Sequence, residues 1–200
     1  MALSPSDNLI THKKVSSEVS PVNCGDWNAN HDIKNLMGYI LVEEKNLPAG
    51  TTTCTFDGLD GDVDEEYIIE GQITTANALN PEISMRINND SGNNYIRTGF
   101  YQDDAQFNGE HITTSSFRLS IVPTTSITHQ VFTAKILART GFMRCIDLKS
   151  VGDNTSTTKR MSINLGKWTN TVDNITSITC LCSTTFSGTI RLWKRIPVEV

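Results

Sequence analysis

The chain contains 200 residues with a formal net charge of −5 and 38% hydrophobic residues, enough for one large domain or for one domain with an arm. The acidic balance argues against a nucleic-acid partner, whose binding surface usually has a basic stripe. No apolar run approaches the length of a membrane-spanning helix, so no membrane partner is expected. Threonine and serine are abundant and alanine is scarce, which favours strands over helices.

Residues 1–36 are polar and irregular, and they predict an N-terminal arm for attachment. Such an arm either lies over its own domain or docks on a neighbour. Trp27 is the candidate for docking on a partner, because a large aromatic side chain gains much from burial. The alternative is that Trp27 covers one end of its own domain. The segment lacks a basic region followed by an apolar run, so we expect synthesis in a cytoplasm and release by another route, such as lysis.

From Gly38 onward, short runs alternate between apolar and polar residues, separated by Gly, Asn, Asp and Pro. Such alternation is typical of antiparallel strands with one buried and one wet face. Two of the apolar faces are Ile83, Met85 and Ile87, and Met161, Ile163 and Leu165.

No stretch has sustained helical periodicity, so we predict an all-β fold. The frequent turns favour an antiparallel, jelly-roll-like β-sandwich over residues 37–200. The predicted strands lie near 38–44, 51–56, 66–74, 82–88, 94–101, 116–122, 130–139, 142–149, 158–166, 175–183 and 188–195.

The five cysteines are odd in number and irregularly spaced, which favours reduced thiols in the absence of a secretory signal. They are Cys24, Cys54, Cys145, Cys180 and Cys182.

An acidic, glycine-bearing turn separates two of the predicted strands, and its carboxylates are the candidates for binding Ca²⁺. The spacing begins like a calcium-binding loop, but the sixth position is Glu65 instead of Gly and the twelfth is Gly71 instead of Glu. A calcium-binding β-loop of another kind remains open beside a solvated corner that needs no ion. The candidate metal ligands are Asp57, Asp60, Asp62 and Asp64.

Aromatic and polar residues cluster around one predicted hairpin, where rings could stack on a sugar face. The candidate ligand-binding residues are Tyr95, Tyr101, Gln102 and Asp103. No catalytic residue is predicted, because the chain has no Gly-x-Ser-x-Gly motif, no paired carboxylates and only scattered histidines.

Three segments of the chain form recognisable motifs. Residues 58–67 (GLDGDVDEEY) form an acidic turn that leads into a strand, and residues 89–95 (NDSGNNY) read as a hairpin that follows it. Trp168, residues 175–178 (ITSI) and residues 188–194 (GTIRLWK) belong to the final strands. Together these segments resemble virion proteins of tailed bacteriophages, and the resemblance runs from about residue 50 to residue 195.

This resemblance implies a jelly-roll-like sandwich displayed on a phage particle. We therefore expect a non-enzymatic structural protein of the virion, a capsid decoration, cement or head-spike protein attached through its arm. Its expected partners are other virion proteins and further copies of itself, with a trimer favoured. The alternative is a carbohydrate- or receptor-binding module of a tail spike or fibre, which would bind a host-surface glycan. A depolymerase ranks last.

Overall fold

The computed structural model describes residues 38–76, 81–103, 106–121, 128–153 and 159–195. The predicted arm at 1–36, with Trp27, therefore lies outside the described residues. Within them the chain forms ten strands and one short helix. They are β1 (Tyr39–Asp57), α1 (Gly61–Asp64), β2 (Glu66–Thr75), β3 (Glu82–Ile87), β4 (Tyr95–Asp103), β5 (Gln106–Thr114), β6 (Phe117–Ile121), β7 (Thr128–Leu137), β8 (Arg144–Asp153), β9 (Lys159–Trp168) and β10 (Ser177–Arg195).

The strands pair antiparallel throughout, in the order β5-β4-β9-β8-β7-β2-β10-β3-β6. β1 pairs with β10 along the whole length of both strands, from Tyr39 opposite Arg195 to Asp57 opposite Ser177. The sheet curls into a nearly closed, barrel-like shape. This confirms the predicted all-β, antiparallel class. No helix in the described parts of the chain is long and apolar enough to cross a membrane.

The strands β1 and β10 are each a single element where the sequence predicts two. In β1 the break was expected at Pro48 and Gly50, but the strand continues through irregular pairing between Leu47 and Thr53. A proline without an N–H group and a glycine with a φ of 92° are tolerated here, because β1 pairs only with β10 among the described strands. In β10 the predicted break covers residues 184–187, and there the pairing with β1 shifts its register between Leu181 and Phe186. Irregular pairing, not a turn, occurs at both positions.

The strand β5 was not predicted from the sequence, and it forms an edge of the sheet beside β4. None of its side chains is fully buried. A strand without a buried face has no reason to alternate apolar and polar residues, so the signal that revealed the other strands is absent.

The buried core confirms most of the predicted faces but not that of β9. The side chains of Ile83, Met85 and Ile87 are fully buried. In β9, by contrast, Ser162 and Asn164 point inward, and the apolar face points outward. The exposed fractions are 52% for Met161, 53% for Ile163 and 61% for Leu165. The expectation that this face is buried was therefore wrong.

Candidate functional site

The acidic turn forms a corner that is held by its own carboxylates. Asp60 precedes α1 and caps it, since its side chain accepts a hydrogen bond from the backbone N–H of Val63 at 3.3 Å. The same Oδ1 accepts from Nδ2 of Asn174 at 2.9 Å. Glu65 ends the helix with a φ of 58°, and its N–H donates to the carbonyl of Gly61 at 3.0 Å. The residues of this turn therefore shape its backbone.

Asp62 and Asp64 tie this corner to other parts of the sheet. The Oδ1 atom of Asp62 accepts from the backbone N–H of Thr140 at 2.7 Å, and this hydrogen bond lowers the pKa of Asp62. Asp64 is only 5% exposed and accepts from the Tyr67 hydroxyl at 2.7 Å and from Nζ of Lys194 at 2.8 Å. Burial, and then this hydrogen bond to Asp64, raise the pKa of Tyr67.

The four acidic candidates do not converge on one point. Asp57 is exposed, and the other three carboxylates hold different partners. In the described ranges there is no group of three or more His, Cys, Asp or Glu side chains that could hold a metal ion. The structure therefore supports the reading of this turn as a structural corner.

Residues 88–94 connect β3 to β4, but these two strands do not pair with each other, so the hairpin predicted here was wrong and the segment is a loop between separate parts of the sheet. Asn88 and Asn89 have φ values of 52° and 54°, and asparagine tolerates this left-handed region better than most residues. The carboxylate of Asp90 accepts from the Gly92 N–H at 2.9 Å and from Nε1 of Trp168 at 2.7 Å. These contacts join the loop between β3 and β4 to the end of β9.

The four candidate ligand-binding residues do not form one platform. Tyr95 is fully buried, and its hydroxyl accepts from the N–H of Ile87 at 2.8 Å, so it belongs to the core. Tyr101 is half-buried beneath the guanidinium of Arg160, 4.0 Å from the ring centroid. Gln102 is exposed, and Asp103 is the last residue of β4. Successive strand residues point to opposite faces, so Tyr101 and Gln102 cannot act on the same side.

A partly buried cluster of charged residues joins β4, β5 and β6, and it was not predicted from the sequence. Arg97 is 2% exposed and donates to both carboxylate oxygens of Glu110, at 2.8 and 3.3 Å. Arg118 donates to the same carboxylate at 3.3 Å. Burial alone would raise the pKa of Glu110, but the hydrogen bond from Arg97 and the nearby arginine charges lower it overall. Arg97, Gly99 and Tyr101 are spaced two residues apart on β4 and therefore share one face. This spacing was the sequence signal that could have placed Arg97 on the same face as Tyr101.

The described cysteines are free thiols. Cys54 and Cys180 lie directly opposite each other on β1 and β10, and both are buried. Burial raises the pKa of Cys54 to about 11 and raises that of Cys180 as well. Both thiols therefore stay protonated near neutral pH and act as small core residues.

Several large apolar side chains are exposed on the outer face of strands β7, β8, β9, β4 and β5, which we call the outer apolar face. Directly paired residues share a face, and one row across these strands runs Val131, Val151, Met161, Gln102 and Phe107. The next rows add Ile163, Phe100 and Leu165. The rings of Phe100 and Phe107 stack with centroids 5.1 Å apart.

The side chains of the outer apolar face are exposed to an unusual degree for large apolar residues. The exposed fractions are 45% for Val151, 51% for Val131, 53% for Phe100 and 69% for Phe107. Single exposed apolar residues need no explanation, but a contiguous patch indicates a surface that contacts another molecule.

Two opposite charges lie within this face on β8. Asp147 and Lys149 are exposed and point the same way, since they are two residues apart on one strand. Across the described segments, neither has a hydrogen-bond or ion-pair partner. Lys135, directly opposite Asp147, instead binds Glu66 at 2.7 Å.

A small groove beside this face is lined by residues that include Glu70, Gly71, Phe132 and Arg191, and it holds about 90 Å³. Pockets for small-molecule ligands usually hold about 300–1,000 Å³. The groove is therefore too small for a typical ligand.

Neither a protein-family model nor a curated protein matches this sequence. Among solved structures, the chain is similar to a protein of unknown function from Shewanella oneidensis MR-1, with 9% identity and a TM-score of 0.30. The likeness covers 85% of this chain and 84% of that protein. At this level of similarity it carries no argument about fold or function.

Proposed function

We propose that this protein is a non-enzymatic structural protein of a tailed-bacteriophage virion, a capsid decoration, cement or head-spike protein attached through residues 1–36. The observation that carries the proposal is the outer apolar face. A protein that presents so many large apolar side chains on one sheet is expected to bury them against another protein surface, as subunits of an assembly do.

The sequence resemblance to virion proteins is the reason for proposing a phage particle as the assembly to which this chain binds. Its motif residues support this proposal because they build turns: Asp60 caps α1, and Asp90 accepts a hydrogen bond from the Gly92 N–H in the loop between β3 and β4. Motifs that shape a scaffold identify an architecture and carry no catalytic residue. Binding to a particle then depends on many repeated contacts instead of one tight site.

We also propose that the sheet divides into two jelly-roll-like layers. β10 supports this, since its residues 178–182 pair with β3 and its residues 186–194 pair with β2. A strand that changes partners along its length is a common way to pass from one layer to another.

The alternative is a carbohydrate- or receptor-binding module that displays its aromatic side chains to a host surface. The observation that favours it is the stacked and exposed pair of Phe100 and Phe107. Aromatic side chains of this kind can stack on sugar rings.

Particles purified from the host that produces this chain test the proposal. We expect the chain on intact particles at a copy number comparable with that of the capsid subunit, and its loss from them when residues 2–36 are deleted. Absence from particles would refute the proposal, and full attachment of the truncated chain would refute the role of the arm. Binding of the isolated protein to host glycans, with no attachment to capsids, would establish the alternative.

A further inference from the structure

We infer that the free edge of β5 pairs antiparallel with the same edge of a second copy of this chain, about a two-fold axis at Gly109. The inference goes beyond the proposed function, since the pair forms between isolated chains and needs no virion. The sequence led us to expect a trimer, whereas two strand edges related by a two-fold axis make a dimer.

The free edge of β5 presents a row of backbone groups. Within the described ranges β5 pairs with no strand other than β4. The N–H of Thr169 donates to the carbonyl of Asn94, so the even-numbered residues of β4 bond to β9 and its odd-numbered residues bond to β5. The odd-numbered residues of β4 lie opposite the even-numbered residues of β5. The N–H and C=O groups that face away from β4 are therefore those of Phe107, Gly109, His111 and Thr113.

The edge of β5 lacks the devices that keep edge strands from pairing with other chains, which include lysine, proline and bulges. The strand β1, which pairs only with β10 among the described strands, has Lys45, Pro48 and irregular pairing beyond Leu47. By contrast, β5 contains neither lysine nor proline, and its nine residues pair with β4 without a register shift. A regular, exposed edge of this length is a template for another strand.

The sequence of β5 selects a second copy because it is self-complementary about Gly109. An isologous pair places residue i of one copy opposite residue j of the other and, by symmetry, j opposite i. An axis at Gly109 places Phe107 opposite His111 on the outer face and Asn108 opposite Glu110 on the inner face, each twice in the pair. Aromatic pairs of this kind stabilise neighbouring strands, and an amide can donate to a carboxylate.

The backbone groups fit the same axis. Phe107, Gly109 and His111 all face the free edge, so their pairing across the axis makes about six N–H···O bonds between the copies. An axis one residue further along, at Glu110, would place two carboxylates directly opposite each other. Like charges in that position are destabilising. The axis at Gly109 is therefore the favoured one.

The pair would join the outer apolar faces of the two copies into one surface. Phe100 lies opposite Gly109 on β4, and its ring stacks on that of Phe107. Pairing at Gly109 therefore brings the stacked rings of both copies to the same seam. A continuous sheet with this seam at its centre offers a particle a larger contact surface than a single chain does.

Sedimentation equilibrium of the full chain tests this inference. We expect a species of twice the 22.1 kDa chain mass that dissociates on dilution. Gly109→Pro should raise the dimer Kd by about 100-fold or more, because proline has no N–H to donate at the axis in either copy. The N–H of Gly109 faces away from β4, so the ladder within the chain does not need it. The matched control Gly109→Ala keeps the N–H and should leave the Kd within about threefold of the wild type.

Two double variants test the register. Phe107→Glu with His111→Lys places opposite charges across the axis, whereas Phe107→Glu with His111→Glu places like charges there. The first should dimerise about tenfold more tightly than the second at physiological ionic strength, since directly opposed charges interact and more distant ones are screened. Circular dichroism of each variant checks that the fold is intact.

Amide hydrogen exchange of the wild-type chain gives a measurement that depends on no variant. The amides of Phe107, Gly109 and His111 should exchange more slowly as the protein concentration rises, because they donate only in the pair. The amides that bond to β4, such as that of Glu110, should not respond in this way.

The outcomes separate the possible occupants of the edge. A chain that stays monomeric at all concentrations would overturn the inference, and so would a dimer that Gly109→Pro does not weaken. A monomer whose Gly109 amide is protected at every dilution would show that another part of the same chain covers the edge. Equal Kd values for the two double variants would refute this register. A monomer found on virions would overturn the pair and leave the proposed function standing, whereas a dimer absent from virions would do the reverse.

Discussion

The carboxylate of Asp64 lies 2.8 Å from Nζ of Lys194, although 130 residues separate them in the chain. The contact joins the acidic corner to the C-terminal end of β10. Asp64 also accepts a hydrogen bond from the Tyr67 hydroxyl. One buried carboxylate thus connects the start of β2 to the C-terminal end of β10. Asp64 therefore has a structural role within the acidic motif whose sequence suggested a metal site.

We predict that Asp64→Ala lowers the free energy of unfolding by about 2–3 kcal/mol, because it leaves the Tyr67 hydroxyl and the Lys194 ammonium group without their acceptor. Urea denaturation measures the change. Asp57→Ala is the matched control at an exposed position of the same turn, and it should change stability by less than about 0.5 kcal/mol. Equal effects of the two substitutions would contradict the structural role of Asp64.

The double substitution Asp60→Asn with Asp62→Asn should change thermal stability by the same amount with and without calcium. Asparagine remains a good helix cap at position 60 and keeps an acceptor oxygen at position 62, so the expected change is about 1 kcal/mol or less. Differential scanning calorimetry in calcium and in a chelator checks this. A calcium-dependent rise in the wild-type Tm that the variant loses would show a metal site at this turn.

Gly188→Ala should destabilise the protein by about 3 kcal/mol or more. Its φ of 125° disfavours any residue with a side chain, and an added Cβ would lie 2.3 Å from the carbonyl oxygen of Gln72. Gly109→Ala is the control, because an added Cβ there would meet its nearest atom at 3.8 Å. Thermal denaturation should place Gly109→Ala within about 1 kcal/mol of the wild type; a comparable loss at both positions would argue against the close approach of β10 to β2 at Gly188.

The pH dependence of stability should report the pairing of Glu110 with Arg97. The folded-state pKa of Glu110 lies below its ordinary value of 4.5, so the unfolded chain binds more protons around and below that pH. The contribution of Glu110 is therefore present above about pH 4.5 and is lost as the pH falls through the folded-state pKa. Urea denaturation between pH 6 and pH 3 should give a shallower acid slope for Glu110→Gln than for the wild type. Identical slopes would contradict a lowered pKa.

Local sequence patterns revealed most strands because each pattern is a property of neighbouring residues. The buried faces of β3 and β7 are read directly from alternation, as Phe132, Ala134 and Ile136 show. The edge strand β5 has no buried face and gave no such signal. The irregular pairing near Pro48 and between Leu181 and Phe186 was mistaken for strand ends because turns and bulges use the same residues.

The candidate sites depended on contacts between distant residues and were therefore less predictable. The sequence places Asp57, Asp60, Asp62 and Asp64 close together along the chain. The last three carboxylates nevertheless bind three different partners, which are Asn174, Thr140 and Lys194 in that order. Tyr95 and Tyr101 both lie on β4, yet Tyr95 belongs to the core and Tyr101 is half-buried. Chain proximity alone does not determine what a side chain faces.

By itself, the sequence determined the all-β class, the position of the acidic corner and which residues of each strand share a face, because these follow from local backbone preference and a period of two. Only the tertiary structure decided which face is inside. In β9 the inner side holds Ser162 and Asn164, close to the ion pair of the buried Arg97 with Glu110, and this leaves Met161, Ile163 and Leu165 on the outer surface. A period of two defines two faces equally well, and the choice between them depends on what the rest of the sheet presents to each.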